Sequence, residues 1–263
     1  MISLNILNDE YEARKFIRMT FFNELFRKLK RTSELEINVW GGYQQFPYAT
    51  RWVPGNFSLA DNTVNFLSQV TTLKDEDLVI LLENDVYPCS QFIEYILYLE
   101  EKVNEINTMR SGFNSHFKLV EYFKDFVQEG EAIWLRVPTA SFWFAQCLWA
   151  PAFLWKEFHQ YIKKFGFTSF SKATSVQLDS SIQVFLKSTG REFVLVAVPN
   201  VVAHIGEVSA IYPNANLTQE SPSWKSSRQT FCFVEDPLGF IKTRRFLENS
   251  TVDITRLRQD DNG

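Results

Sequence analysis

Asp77-Leu78-Val79-Ile80-Leu81-Leu82-Glu83-Asn84-Asp85-Val86-Tyr87-Pro88 is the stretch that decides the fold. After its leading Asp the run is apolar to Leu82, as a central strand covered on both faces should be. It ends abruptly in Glu83, Asn84 and Asp85. Carboxylates there stand at the carboxyl end of a buried strand, where open α/β sheets bind their ligands. Hard oxygen ligands in that place suit Mg²⁺ or Mn²⁺ holding a diphosphate. Glu, Asn and Asp also make ordinary surface turns, and on these residues alone both readings stand.

Working outward, the alternation from Ile2 to Leu7 reads as a first strand, followed by Asn8 or Asp9 as cap of a helix over residues 10–31. A second strand, Leu35 to Trp40, ends at Gly41-Gly42, where positive φ is available. Residues 43–56 read as a loop, and Ser58 or Asp61 starts a helix to Val70. Beyond the central strand, Ser90 is placed to cap a helix with the stripe Phe92, Ile96, Leu99, Val103 and Ile106. A further helical pattern runs from Phe113 to Val127, stopped by Gly130. Strands are expected over Ala132–Val137, Phe142–Trp149 and Phe193–Val198. Helices are expected from Pro151 to Gly166 and around Leu178, Ile182 and Phe185, the latter stopped by Gly190. The chain turns polar after Pro213. Early alternation of strand and helix predicts an α/β domain with a mixed, mostly parallel sheet flanked by helices.

Composition supports one large core. The chain has 263 residues, 45% hydrophobic and 16% aromatic, which fits a packed globular protein. With 27 basic and 31 acidic residues, net charge is −4, so no global positive field draws nucleic acid or an anionic membrane. The N-terminus turns acidic before a long apolar run develops, and no window nears the ~20 apolar residues of a bilayer span. Cys89, Cys147 and Cys232 have no CxxC spacing and suggest a reducing compartment or apolar packing. The expectation is a soluble, cytoplasmic protein without integral membrane association. No GxGxxG or P-loop segment is present, which argues against a Rossmann dehydrogenase or P-loop NTPase.

Residues 78–88 resemble the hydrophobic-strand-plus-"DXD" segment of GT-A-fold glycosyltransferases. The resemblance implies a single GT-A-like (Rossmann-like) catalytic domain over residues 1–250. Residues 1–110 would form the nucleotide-sugar half, 111–250 the acceptor half, and 251–263 a tail. It also implies Asp85 as metal ligand and Glu83 and Asn84 as donor contacts; Asn at the middle position departs from the commonest form of the motif and weakens the ribose assignment. The stretch Val198-Pro-Asn-Val-Val-Ala-His204-Ile-Gly206-Glu-Val-Ser-Ala210 is similar to a Pro-x-Leu-Val-x-His-x-Gly-x-x-Ser segment of some GT-A enzymes, including N-acetylglucosaminyltransferases that branch N-glycans. It implies His204 as a second metal ligand or diphosphate contact; taken alone, a single His after a strand is a structural residue. Imidazole beside carboxylate oxygen favours Mn²⁺ over Ca²⁺ and leaves Mg²⁺ open.

Asp179, at the start of a late helix, matches the family's base for an inverting transfer; its own position equally fits a helix cap. Asn8, Arg51 and Asn62 flank the region where the family holds nucleobase and phosphates, and each also fits a turn or cap residue. His116 and His159 lie in amphipathic helical patterns and read as packed or exposed. Phe142-Trp143-Phe144, Trp149 and Trp155 read as core, with an acceptor-stacking role as the other possibility. Trp224, Lys225 and Arg228 fit either a lid over the diphosphate or a solvated loop. The implied activity is metal-dependent (Mn²⁺ or Mg²⁺) transfer of a sugar from a nucleotide-sugar, foremost a UDP-sugar, to an acceptor hydroxyl. The acceptor is open: glycan, lipid-linked sugar, protein, small molecule or modified nucleic-acid base. The rival readings are a nucleotide-sugar- or glycan-binding module without turnover and a metal-dependent nuclease or phosphohydrolase.

Overall fold

The structure, a computed structural model, describes residues 1–8, 15–29, 33–42, 49–55, 59–113, 133–142, 145–167, 178–204, 233–242 and 252–253. The described elements, in chain order, begin with β1 (Ile2–Leu7), α1 (Lys15–Lys28), β2 (Leu35–Trp40), β3 (Arg51–Val53), α2 (Leu59–Val70) and β4 (Leu78–Glu83). Then come β5 (Val86–Pro88), α3 (Phe92–Glu100), β6 (Arg110–Ser111), β7 (Ile133–Pro138), a 3-10 turn (Thr139–Ser141) and β8 (Cys147–Pro151). The last are α4 (Ala152–Phe165), α5 (Leu178–Ser188), β9 (Phe193–Val198), β10 (Val202–His204), α6 (Pro237–Lys242) and β11 (Val252–Asp253).

Nine of the described strands form one sheet in the order β11-β7-β9-β6-β8-β4-β1-β2-β3. β1 pairs in parallel with β2 and β4, β2 with β3, β6 with β9 and β7 with β11. Antiparallel pairs join β4 to β8, β8 to β6 and β9 to β7. The sheet is therefore mixed and mostly parallel, as expected. Strict alternation sends Val79 and Leu81 into one core and Ile80 and Leu82 into the other. The first core is covered by α2, α4 and α5 through Phe66, Trp155, Phe158, Ile182 and Phe185. The second is covered by α1 and α3 through Phe21, Leu25, Phe92, Ile96 and Leu99. Fully burying each aliphatic of β4 is worth about 1.5–3 kcal/mol, which explains why this run reads so plainly.

Several expectations need correction. The helix after residue 91 stops at Glu100 instead of reaching Ile106. Its last turn tightens, with the N–H groups of Lys102 and Val103 reaching the carbonyls of Leu99 and Glu100. Ile106 lies 69% exposed, and Arg110–Ser111 form a strand. Ser90 does not cap that helix. Gln91 holds the N-cap position at φ 53 without a side-chain bond, and Ser90 turns to Glu235. Within the expected loop 43–56, Arg51–Val53 pair with β2 as an edge strand. The strand expected over 142–149 runs over Cys147–Pro151, and Pro151 becomes the N-cap of α4. Of the helix expected from Phe113 to Val127, Phe113 is a buried residue outside any helix, and the rest, with His116 and Gly130, lies outside the described residues.

Candidate functional site

The register of the three central parallel strands defines one edge. Leu7 is level with Trp40 and with Glu83, so the next residue of each strand, Asn8, Gly41 and Asn84, forms a row along the carboxyl ends. From β1 the chain proceeds to β2 on one side and is joined by β4 on the other, the topological switch point where such sheets bind ligands.

Asparagine side chains weld this row together. Asn84 Nδ2 donates to Asn8 Oδ1 (2.8 Å), Asn8 Nδ2 to the Gly41 carbonyl (3.3 Å), and Asn62 Nδ2, from the first turn of α2, to the Asn8 carbonyl (3.3 Å). All three asparagines are 2% exposed. Gly41 makes the closure possible: its φ is +95°, and a Cβ there would stand 2.4 Å from the Asn8 carbonyl oxygen and 2.7 Å from Asn62 Nδ2. Asn62 Oδ1 is buried without a hydrogen-bond partner. A buried acceptor of that kind costs stability unless something donates to it.

Glu83 ends β4 half-buried, its N–H donated to the Gln146 carbonyl (3.1 Å). Gln146, which sequence reasoning passed over, also buries an Oε1 without a hydrogen-bond partner. Asp85 is 2% exposed in the two-residue turn between β4 and β5. β5 pairs antiparallel with β10 in a separate two-stranded ribbon, with Val202 opposite Pro88, Ala203 opposite Tyr87 and His204 opposite Val86. The backbone therefore brings His204 beside the residue that follows Asp85, although the two are far apart in sequence. Among the described residues no cluster of three or more His, Cys, Asp and Glu side chains is assembled for a metal ion.

Arg51 stands apart from this row, exposed at the amino end of edge strand β3. Asp179 is the second residue of α5 and is half-buried; its Oδ1 accepts the Ser180 N–H at 2.7 Å. Burial pushes its carboxyl above the usual aspartate value, opposed by the backbone N–H groups of Ser180 and Asp179. α5 returns through Thr189–Glu192 into β9, and Gln183 in its middle donates to the carbonyls of Ala140 and Phe142. The contact to Ser180 satisfies one N–H of the first turn of α5.

His159 is buried on α4 and packs, with its imidazole held below the ordinary histidine value by burial and by Lys163. Trp149 and Trp155 are fully buried core residues. Trp143, Phe144, Gly206, Trp224, Lys225 and Arg228 lie outside the described residues. Among the described residues, no helix is long and apolar enough to cross a membrane.

No family model and no curated protein sequence matches the chain. Among solved structures it is similar to the galactosyltransferase LgtC in complex with donor and acceptor sugar analogs, at 13% identity and TM-score 0.38, over 70% of each chain. It is also similar to the 2-C-methyl-D-erythritol 4-phosphate cytidylyltransferase IspD of Francisella tularensis, at 11% identity and TM-score 0.39. That match covers 62% of this chain and 78% of the other.

Proposed function

We propose that the protein is a metal-dependent glycosyltransferase of the GT-A type, moving a sugar from a nucleotide-sugar, foremost a UDP-sugar, to an acceptor hydroxyl. One observation carries the reading: β5 and β10 pair so that His204 lies opposite Val86, next to Asp85, at the carboxyl edge of the central strands. Two stretches singled out in the sequence for the same diphosphate site thereby meet in space. Asp85 and His204 would hold Mn²⁺ or Mg²⁺. The donor set fits, because such ions take one or two protein ligands and complete their shell with water and substrate phosphate oxygens. When bound, the ion neutralises charge on the departing nucleoside diphosphate.

The chain's own residues supply the rest. One N–H of each of the Asn8, Asn62 and Asn84 side-chain amides is bonded within the protein, which makes the row rigid. Asn62 Oδ1 and Gln146 Oε1 are suited to receive N–H or O–H groups of the nucleoside. Glu83 would contact the ribose, and Arg51 would reach phosphate only by folding its exposed side chain over the edge. Asp179 takes the proton of the acceptor hydroxyl, leaving inverted configuration at the transferred sugar. Residues 1–110 would form most of the donor half and 111–250 the acceptor half, with Gln146 and His204 reaching back to the donor.

The test is calorimetric titration of UDP with and without Mn²⁺, followed by incubation with a panel of nucleotide sugars. Metal-dependent binding and slow donor hydrolysis, both lost in Asp85→Ala, are expected. Tight donor binding without turnover on any acceptor would favour a binding module, and cleavage of phosphoesters a hydrolase.

A further inference from the structure

Lys28 ends α1, and its side chain is 3% exposed. Its Nζ donates to the Pro88 carbonyl (2.6 Å), pairs with Glu235 Oε1 (2.8 Å) and sits 3.6 Å from the Tyr87 ring centroid. Glu24 stands further off at 3.8 Å. One ammonium thus ties three pieces of chain together: α1, β5 and the stretch around Glu235. That segment is pinned to the same place by independent contacts. The Ser90 N–H donates to the Glu235 carbonyl (2.7 Å) and Ser90 Oγ to Glu235 Oε1 (3.1 Å), while the Phe233 ring meets Tyr87 edge-on.

The ribbon of β5 and β10 has three residues per strand and lies outside the main sheet. A two-stranded ribbon is at best marginally stable by itself, so its position must be imposed from outside. A buried ammonium is a poor way to gain stability, since an apolar side chain of similar volume often does as well. What the ammonium adds is a compact charge with three N–H donors, held here between the Pro88 carbonyl and Glu235.

We propose that Lys28 is a positioning residue for the diphosphate and cation site: it locks the ribbon that brings Asp85, just before β5, and His204, the last residue of β10, to the same end. This inference rests on the reading of that ribbon given under Proposed function. Nothing in the amphipathic pattern of α1 distinguishes Lys28 from a surface lysine.

The experiment compares wild type, Lys28→Met and Glu235→Gln in the full chain, by two readouts taken well below the melting temperature. The first is affinity for UDP in saturating Mn²⁺. The second is amide hydrogen exchange at Val86, Tyr87 and Cys89, whose N–H reaches the Val201 carbonyl, with Val79–Leu82 of β4 as internal control. Lys28→Met is expected to weaken UDP binding by at least about tenfold, the usual cost of losing an outer-shell support. Exchange should accelerate in the ribbon and not in β4, whereas a merely structural role would loosen both. Affinity within twofold of wild type overturns the proposal. So does acceleration shared equally by β4. If Lys28→Met does not fold, Glu235→Gln is judged by the same two readouts and the same thresholds for direction. Should wild type bind no UDP with Mn²⁺, the glycosyltransferase reading fails first. Exchange then decides Lys28 by itself: ribbon-specific acceleration sustains the anchor, and its absence removes it.

Discussion

Replacing Gly41 by Ala is the sharpest test of the asparagine row. Two costs add. At φ +95° an L-residue pays about 1–2 kcal/mol of backbone strain. The new methyl would also lie 2.4 Å from the Asn8 carbonyl oxygen and 2.7 Å from Asn62 Nδ2, where ordinary contact is 3.4–4 Å. Both atoms must retreat by roughly an ångström, and they are the acceptor and donor of a 3.3 Å hydrogen bond in a buried place. Losing it leaves buried polar groups unpaired, at about 1–3 kcal/mol. The total is about 2–5 kcal/mol, or about 4–20 °C in melting temperature for a chain of this size. Gly190→Ala is the control. Its φ is +72°, and a Cβ there would meet nothing within 4 Å, so it carries the backbone cost alone. Thermal melts followed by circular dichroism compare the two, and UDP titration in Mn²⁺ reports whether the edge has deformed. If Gly41→Ala melts within the shift of Gly190→Ala, the close packing of Asn8 and Asn62 against Gly41 is not what holds this edge.

Three further variants have expected outcomes. Asp85→Asn should abolish the Mn²⁺-dependent part of the UDP calorimetric signal while leaving the melting temperature near wild type; undiminished binding contradicts its role as ligand. Asp179→Asn should cut transfer by at least ~10²-fold with donor binding retained. Because burial raises the folded-state value of Asp179, its ionisation costs stability once pH rises past the ordinary 3.8, so the Asn variant should melt no lower than wild type at pH 7 and lose that advantage below 3.8. His159 titrates in the opposite sense. Its folded-state value lies below 6.5, so its contribution is present above 6.5 and is lost as pH falls through the lowered value. The drop in melting temperature on acidification from 6.5 should flatten in His159→Asn, and an unchanged slope would refute the assignment.

What was legible in the sequence follows from where the stabilising information resides. β1, β2, β4 and β9 are runs of six residues each, largely buried, and their patterns are local. β3, β5, β6 and β10 have two or three residues. Their strand character comes from distant partners, which no local periodicity encodes. The position of Glu83, Asn84 and Asp85 at a strand end was readable because an apolar run stops there. The bonding of Asn84 to Asn8 and of Asn62 to the Asn8 backbone was not, since an asparagine looks the same in a solvated turn and in a buried weld. Gly41 announced a positive φ, but only the fold shows how closely α2 and β1 crowd it. Gln146 gave no signal at all.

The face of β1 and β2 opposite their aliphatic residues carries Ser3, Asn5 and Asn38, all buried. Asn5 Nδ2 reaches Ser3 Oγ, Asn38 Nδ2 reaches the same hydroxyl, and Trp40 Nε1 donates to Asn5 Oδ1. Parallel neighbours have no tight hairpin to dictate their alignment, and aliphatic side chains slide past one another at little cost. This ladder works as a vernier. Displacing β2 by two residues keeps every apolar group inward yet strands several amides in a dry layer, each at about 1–3 kcal/mol. The misaligned sheets are thereby excluded during folding, and Trp40, hence Gly41, arrives level with Leu7 and Asn8.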